Sequence, residues 1–406
     1  MLAPVQDRST SRKLEFGLYR DGDNNLDHVQ EATIAQARAL SARDGSIEFT
    51  VEDTTAQRGF ASGTRLHTDQ YQIDDGTLSH VSSDSPHDMS SRDNLTQFVA
   101  RTLDNAQKAG ASQTWLDLID HGGGDGGGLE ADHGLGIMRA DDIAGAIADG
   151  VALHAKEHPE DADRRVDGVV ANQCLMATLA FSSALSHAGV AYLAASPETM
   201  LAPGVPSTVA EDVVKHLDDP NAMAHALVDR TMKTEYGGLG GFAPSAAFDV
   251  IDLDPKKTAA VETSVKTLNA ALVNAGHDAN EKAAVREDAK SIDGMVRFPE
   301  GKQLPWRADR PAMALYQTFA QDTRLDPTLR KAAADAVNAI GATVLAHAES
   351  SDFGPFNDSD YSDAVGPTVH FPTAHKQIDP WAPQMKETDN AFYRTVGEAD
   401  VTRTYA

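Results

Sequence analysis

The first half of the chain alternates short apolar runs with longer stretches in which apolar residues recur at helical spacing. The apolar runs have the length of buried strands and span 14–20, 46–53, 115–120, 166–172 and 190–196. The helical stretches between them span 26–42, 94–109, 140–157 and 175–187. This alternation predicts a doubly wound, mostly parallel α/β sheet with right-handed crossovers.

The second half of the chain has a different pattern, because long helical stretches predominate there. These stretches span 207–236, 255–289, 309–320 and 326–349. Two strand-like segments, 244–253 and 369–373, interrupt the helical pattern.

The division of the chain follows from these patterns and from the absence of a long linker. We expect residues 1–13 to be a disordered lead and residues 14–206 to form the α/β core, with a β-excursion over 54–82. Residues 207–406 are expected to be a mainly helical part that packs additional strands and helices on the same core.

Two of the predicted strands end in side chains that can perform covalent chemistry. His121 and the only cysteine, Cys174, each follow an apolar run, and they lie roughly 50 residues apart, as in caspases. Asp21, Asn172 and Ser196 fall at or just past strand ends as well. Because an open α/β sheet binds ligands at the carboxyl ends of its strands, these side chains are expected to converge on one site.

A cysteine becomes a nucleophile when an imidazole takes its proton, so His121 is the candidate general base and Cys174 the candidate nucleophile. The helix predicted from residue 175 would favour the thiolate through its positive end. The backbone N–H groups of Gly122 and Cys174 are the candidate oxyanion hole for a tetrahedral intermediate. A glycine after the histidine leaves room for a substrate carbonyl.

Composition removes several other classes of function. The chain has 406 residues and a formal charge of −26, from 61 acidic and 35 basic residues. This charge argues against nucleic acid as a partner, and it fits either cationic or neutral substrates or simple solubility. One cysteine excludes an internal disulfide and any multi-cysteine zinc site. No apolar run is long enough to span a membrane, no signal-peptide core is visible, and we expect a monomer.

Six segments along the chain jointly resemble the clostripain family of cysteine peptidases, within the caspase-like clan. The resemblance extends over residues 14–373, and its motifs are YRDGDNNLD (19–27), IDHGGG (119–124), NQCLMATLAF (172–181), AASPETMLAPG (194–204), APSAAFDVIDL (243–253) and VGPTVHFPT (365–373). It implies a bacterial thiol protease, a hydrolase of polypeptides that works through a Cys–His dyad and requires no cofactor. It also favours a secreted or periplasmic protein, with the cytoplasm as the alternative.

The chain departs from the family at a position that binds the P1 side chain of the substrate in family members. Family members cleave after basic residues, with an acid two positions before the cysteine, and Asn172 occupies that position here. Pro197 replaces a further family glutamate. Basic specificity at P1 is therefore open, with Asn172, Ser196 and Glu198 as candidate substrate-binding residues and Glu198 as the candidate replacement for the missing charge. The alternative function is an inactive or weak homologue that binds peptides in the same cleft.

Two further interpretations concern processing and calcium. Caspase-like peptidases often mature by a cut between the histidine and cysteine segments, and the bonds after Arg139, Arg164 and Arg165 are the candidates here. Residues Asp21, Asp23 and Asn25 are spaced like calcium-loop ligands, but they lack the distal glutamate of an EF-hand. A turn and helix cap explains the same residues, and calcium stays open because some family members are helped by it.

Overall fold

The computed structural model describes residues 13–24, 26, 32–59, 63–84, 87–130, 137–200, 204–236, 246–292, 309–350, 364–371 and 390–405. Thirteen strands lie in these ranges. They are β1 (Leu14–Gly22), β2 (Ile47–Gly59), β3 (Gly63–Asp74), β4 (Thr77–Asp84), β5 (Gln113–Ile119), β6 (Gly128–Glu130), β7 (Ile137–Met138), β8 (Gly168–Asn172), β9 (Tyr192–Ala195), β10 (Ala246–Asp252), β11 (Asp309–Pro311), β12 (Val344–Ser350) and β13 (Thr368–His370).

Twelve α-helices are found in the same ranges. They are α1 (Ala32–Arg43), α2 (Arg92–Ala109), α3 (Ala140–Glu157), α4 (Leu179–His187), α5 (Val209–Lys215), α6 (Pro220–Tyr236), α7 (Pro255–Ala275), α8 (Ala279–Ser291), α9 (Ala312–Gln321), α10 (Pro327–Gly341), α11 (Ala391–Val396) and α12 (Glu398–Tyr405).

Nine of the strands form one sheet in the order β12-β10-β9-β8-β5-β1-β2-β3-β4. The five central strands, from β9 to β2, run parallel. The two strands at each edge pair antiparallel, so the β-excursion and two strands of the second half extend the same sheet. The pairs β11-β13 and β6-β7 form two small sheets of their own.

The helices lie in layers because each covers an apolar face of the sheet. Helices α2, α3 and α4 pack against one face in a cluster that includes Phe98, Ile143 and Phe181. Helices α1, α5 and α6 cover the opposite face around Phe49 and Trp115. The helices from α7 onward form a third apolar cluster, which continues from α4. No helix in the described ranges is long and apolar enough to cross a bilayer.

The order of the central strands brings the two candidate catalytic segments together. Strands β5 and β8 are direct neighbours, and Ile119 pairs with Asn172 at their carboxyl ends. His121 and Cys174, which follow these two residues, therefore emerge side by side. The prediction of a mainly parallel sheet is confirmed, and both residues lie just past the carboxyl ends of its strands.

Several helices of the second half are shorter than the sequence pattern predicts. The helix predicted over 326–349 is wrong at its end, since α10 stops at Gly341 and residues 344–350 form β12 against β10. Pairing with a strand of the main sheet here overrides the helix preference of the alanine-rich sequence. The stretch predicted as a helix over 207–236 is interrupted before Pro220, whose fixed backbone suits the first turn of α6.

Candidate active site

The loop after His121 is a glycine turn that folds back on the histidine. The N–H of Leu129 donates to the carbonyl of His121 at 3.3 Å, and that of Gly123 donates to Gly127 at 2.8 Å. Gly127 has a φ of +116°, and a Cβ there would collide with the carbonyl of Met138. The run of glycines is therefore required for a tight backbone turn, and it keeps bulky side chains away from the histidine.

Gly122 brings the histidine loop into direct contact with the cysteine loop. A Cβ on Gly122 would collide with the carbonyl oxygen of Cys174 and would lie 3.0 Å from its amide nitrogen. Within the described residues, neither the N–H of Gly122 nor that of Cys174 donates to the carbonyl of another residue. The two backbone segments lie against each other, and the role of both amides as an oxyanion hole stays a prediction.

Cys174 is half-buried, and the backbone of Met200 lies beside its sulfur. The N–H of Met200 donates to Sγ at 3.3 Å, and the thiol lies 3.7 Å from the Met200 carbonyl. The next residue, Leu175, has a φ of +67°, which is uncommon for a branched side chain. The N–H of Leu175 donates to the carbonyl of Glu198 at 2.9 Å and so ties the cysteine turn to the segment after β9.

The predicted helix at Cys174 is wrong in its start, and this changes the electrostatics of the thiol. Helix α4 begins only at Leu179, where the Thr178 hydroxyl caps it by accepting the N–H of Phe181 at 3.0 Å. No helix N-terminus therefore follows the thiol directly. Burial raises the pKa of Cys174, and the charge of Asp120 raises it further.

Burial acts in the opposite direction on the histidine, since it lowers the pKa of His121. Both shifts disfavour the charged forms, because the site is poorly solvated. The resting pair is therefore a neutral thiol and a neutral imidazole. A neutral imidazole can accept a proton and so act as a general base when substrate arrives.

The three predicted substrate-binding residues all lie buried in the wall behind the cysteine. The Asn172 amide donates to the Val205 carbonyl at 2.9 Å and accepts the Val205 N–H at 2.8 Å. The Ser196 hydroxyl bonds to the backbone of Glu198 at 2.8 and 3.0 Å. Asn172 and Ser196 thus hold the loops after β8 and β9 together, and the role of all three toward substrate stays a prediction.

The C-terminal part of the chain contacts the loops that follow β5 and β8. Within the glycine turn, Asp125 is buried and accepts a hydrogen bond from the Tyr393 hydroxyl of α11. That hydroxyl also accepts the N–H of His370 at 2.7 Å. On the cysteine side, the N–H of Thr368 donates to the carbonyl of Ala177 at 2.8 Å. Residues far along the chain thus fix the turn after His121 and the turn after Cys174.

A group of acidic side chains lies next to the histidine segment, at the end of β1. Asp21 is buried, and burial together with the charges of Asp120 and Asp23 raises its pKa well above the ordinary value. The Asn24 amide donates to Asp120 at 2.7 Å, which joins this loop to the residue before His121. Two of the predicted calcium ligands, Asp21 and Asp23, belong to this group, whereas Asn25 lies outside the described residues.

The three candidate self-cleavage arginines occupy different environments. Arg139 is the residue before α3. Arg164 is buried, bonds to Asp161 and donates to the Ala111 carbonyl at 3.0 Å. Arg165 is exposed and pairs with Asp167 at 3.1 Å. The Arg165 side chain is therefore more accessible than that of Arg164.

Sequence reasoning missed three residues of this site. The backbone of Met200 contacts the thiol, Asp120 adds negative charge beside the pair, and Tyr393 anchors the glycine turn. Asp120 directly precedes His121, so its position in the IDHGGG motif was a usable signal. Nothing local in the sequence marks Met200 or Tyr393, because their contacts depend on the tertiary fold.

The fold and the site together define a class: a caspase-like α/β sheet that carries a cysteine and a histidine at the ends of neighbouring parallel strands. The sequence matches no protein-family model, and no curated protein matches it. Solved structures, however, match nearly the whole chain.

These solved structures are C11 cysteine proteases. The chain is similar to a secreted C11 protease from Bacteroides thetaiotaomicron, "iotapain", with a TM-score of 0.63, 13% identity, and coverage of 95% of this chain and 99% of that one. The same values hold for a secreted C11 protease from that organism in complex with an irreversible peptide inhibitor. An inactive zymogen C11 protease from Parabacteroides distasonis gives a TM-score of 0.61 and 14% identity, covering 95% and 97%. At this identity the likeness shows the fold, and the predicted fold class is confirmed.

Proposed function

We propose that the protein is a clostripain-like cysteine endopeptidase in which Cys174 is the nucleophile and His121 the general base. One observation carries the proposal: the two residues follow neighbouring parallel strands, and Gly122 touches the backbone of Cys174. The shared fold with C11 cysteine proteases supports it. The motifs quoted above supply the third support, since they place both residues in the family's histidine and cysteine segments.

The chemistry follows from the neutral pair. His121 takes the thiol proton as the sulfur attacks the scissile carbonyl carbon, and the carbonyl becomes an oxyanion held by the N–H groups of Gly122 and Cys174. The imidazolium then protonates the leaving amine, which leaves an acyl-enzyme on Cys174. Water, deprotonated by His121, attacks the thioester, and the thiolate leaves with the returned proton. The N–H of Met200 donates to the resting thiol and lies beside the sulfur from which the attack begins.

A panel of fluorogenic peptides with Arg, Lys, Asp, Asn or Ala at P1 tests the proposal. We expect turnover of at least one peptide by the wild type, stoichiometric labelling of Cys174 by an electrophilic peptide, and neither for Cys174→Ala. Activity that survives Cys174→Ala would reject the nucleophile. Absence of turnover together with absence of labelling would instead favour the peptide-binding homologue, and a peptide-binding measurement on the same panel would then identify it.

We propose that Glu198 supplies the charge for a basic P1 side chain, since Asn172 is neutral and already bonded to Val205. The Glu198 carbonyl accepts the N–H of Leu175, which places this residue against the nucleophile turn. Its side chain is 3% exposed, and charge-assisted hydrogen bonds are strong in such surroundings.

Glu198→Gln is expected to lower kcat/KM for peptides with Arg or Lys at P1 by about 10- to 100-fold, since a hydrogen bond to a charged group contributes about 1.5–3 kcal/mol. Turnover of the Ala peptide should stay within about twofold, which is measured in the same assay. Glu157→Gln, at an exposed position on α3, is the matched control. An equal loss for basic and neutral peptides would show that Glu198 acts on folding rather than on specificity.

We also propose that the acidic group around Asp21 takes up Ca²⁺. The residues fit this ion, because the group offers several carboxylates and Asp21 Oδ2 has no hydrogen-bond partner among the described residues. A bound cation would remove the like-charge repulsion that raises the pKa of Asp21.

Addition of Ca²⁺ is therefore expected to raise the melting temperature of the wild type, with a smaller response to Mg²⁺, which prefers a tighter octahedral site. Asp21→Asn should abolish the response and should itself raise stability in calcium-free buffer, because it removes one buried like charge. Differential scanning calorimetry with EDTA and with excess Ca²⁺ checks both statements. An unchanged calcium response in Asp21→Asn would place any calcium site elsewhere.

Export from the cytoplasm is proposed on the comparison alone, because a solved C11 protease of the same fold is described as secreted. Fractionation of cells that express the gene from its own start checks this, and recovery only from the cytoplasm would contradict it.

A further inference from the structure

A second group of histidine and acidic side chains lies near the amino end of β5, whereas His121 and Cys174 follow the carboxyl ends of β5 and β8. It is built by α2, by the end of α3 and by the turn that follows α3. Arg164 ties this turn to the Ala111 carbonyl, just before β5. The length of β5 therefore separates the group from His121, a distance of roughly 20 Å at the rise of a strand.

Three side chains of this group direct potential metal-binding atoms at one another. His154 Nδ1 lies 2.6 Å from Asp104 Oδ1, and His158 Nε2 lies 3.3 Å from the same oxygen. The ligand atoms of all three residues fall within 4.8 Å of one another. The two imidazole rings are one helical turn apart and stack with their centroids 4.9 Å apart. His154 is fully buried, so its position is fixed by packing.

The outer nitrogen of each ring faces a second carboxylate. His154 Nε2 lies 3.4 Å from Asp161 Oδ2, and His158 Nδ1 lies 3.3 Å from Glu160 Oε1. Asp161 is itself bonded to Arg164. Histidine ligands of metals commonly have this arrangement, in which an outer carboxylate accepts the second N–H and fixes the orientation of the ring.

The two histidine rings have too few N–H donors for all the carboxylate oxygens that their nitrogens face. All four ring nitrogens face carboxylate oxygens, yet a neutral imidazole carries only one N–H. Two neutral rings therefore leave two lone pairs directed at carboxylates. The alternative is two stacked imidazolium rings, whose charges repel at this separation. A cation that accepts the two inner lone pairs removes the conflict and leaves both outer N–H groups to donate.

We propose that Asp104, His154 and His158 form a Zn²⁺ site, with water in the fourth position. Two imidazoles and one carboxylate are a ligand set that zinc accepts at about 2.0–2.2 Å. Ligand atoms of a tetrahedral zinc ion lie roughly 3.3 Å apart. The His158–Asp104 pair already has this separation, whereas the His154–Asp104 pair has to separate by about 0.7 Å. The acidic residues exceed Arg164 in this group by two charges, which a divalent ion neutralises.

The zinc ion would cross-link α2 to the end of α3 and the connection that leads to β8. That connection joins the histidine strand to the cysteine strand, so its attachment stabilises the register of the two central strands. The role assigned to the ion is structural, because the group lies near the amino end of β5, whereas the catalytic pair lies at the carboxyl ends of the strands. It is independent of the proposed peptidase activity.

Isothermal titration of metal-free protein with Zn²⁺ tests the site, and the Cys174→Ala background removes the competing thiol ligand. We expect one zinc ion per chain and a higher melting temperature with zinc present. In this background, His158→Ala and Asp104→Asn should each weaken zinc binding by on the order of 100-fold or more, and Glu160→Gln, an exposed outer partner, by about tenfold. His187→Ala is the matched control, because this exposed histidine also pairs with a glutamate, at 3.5 Å.

The inner variants, His158→Ala and Asp104→Asn, change proposed zinc ligands and can fail to fold. Glu160→Gln then still tests the site, because the Glu160 side chain is two-thirds exposed and the substitution is expected to leave folding intact. Equal zinc affinity in the Cys174→Ala parent, Glu160→Gln and the inner variants would overturn the proposal. Absence of binding by the folded parent at about 100 μM Zn²⁺, on the order of 5 kcal/mol of affinity, would overturn it as well. In that case the group is a network of hydrogen bonds between the rings and the carboxylates.

Discussion

His121→Ala is expected to lower kcat/KM for the best peptide of the panel by about 10²- to 10⁴-fold, the range for loss of a general acid–base group. The effect arises in kcat, because the thiol of Cys174 has a raised pKa and stays protonated without a base. Steady-state kinetics on the folded variant measure it. His187→Ala, an exposed histidine on α4, should retain full activity.

The pH profile gives a second and independent readout of the same assignment. Because burial lowers the pKa of His121, its imidazole stays neutral to a pH below the ordinary value of about 6.5. The acidic limb of kcat/KM should therefore lie below pH 6.5 and disappear from the residual activity of His121→Ala. A wild-type limb above about 6.5, or an unchanged limb in the variant, would assign the base to another residue.

Glu15→Gln is expected to produce a large change in stability at alkaline pH. Glu15 lies fully buried on β1, and burial raises its pKa to about 8, although the Thr50 hydroxyl donates to it at 2.7 Å. The charge of Glu48 raises the pKa further, and that of Arg164 opposes the rise. The second carboxylate oxygen of Glu15 has no hydrogen-bond partner among the described residues, so its ionised form is poorly compensated.

The sign of the pH dependence follows from proton binding. Between the unfolded pKa of 4.5 and the folded value of about 8, the native state keeps a proton that the unfolded state has lost. The free energy of unfolding therefore falls as pH rises through this window, by on the order of 5 kcal/mol for one such group. Glu398, whose pKa burial also raises to about 8, contributes in the same direction.

Urea midpoints at about pH 5 and about pH 8 measure this loss. The Glu15→Gln variant should lose much less stability over the window than the wild type, because an amide does not ionise. Glu157→Gln, an exposed substitution, should keep the wild-type dependence. A Glu15→Gln variant with the wild-type slope would show that water or a local opening compensates the Glu15 carboxylate.

The positions of the central strands and of the crossover helix between His121 and Cys174 could be predicted from the sequence. The observed α3 has the predicted limits, 140–157, because its apolar spacing is regular and the loops on both sides are polar. Strands β5 and β8 were equally clear, since central parallel strands are apolar on both faces. Their side-by-side position in the sheet is what the structure adds to the predicted convergence of strand-end residues.

The errors arose where tertiary contacts decide local structure. Residues 344–350 look helical by composition, but they become an edge strand because β10 offers an open partner. The start of α4 was misplaced because the positive φ of Leu175 cannot be inferred from a leucine. The contact of Met200 with the thiol likewise depends on how the segment after β9 returns to the site.

The bond between Tyr393 and Asp125 joins residues 268 positions apart. During translation, both proposed catalytic residues leave the ribosome long before the tyrosine that anchors the glycine turn. A nascent chain that has folded its sheet as far as β9 therefore still lacks the contact that fixes the loop after His121. The conformation of this loop is therefore completed only after synthesis has passed residue 393.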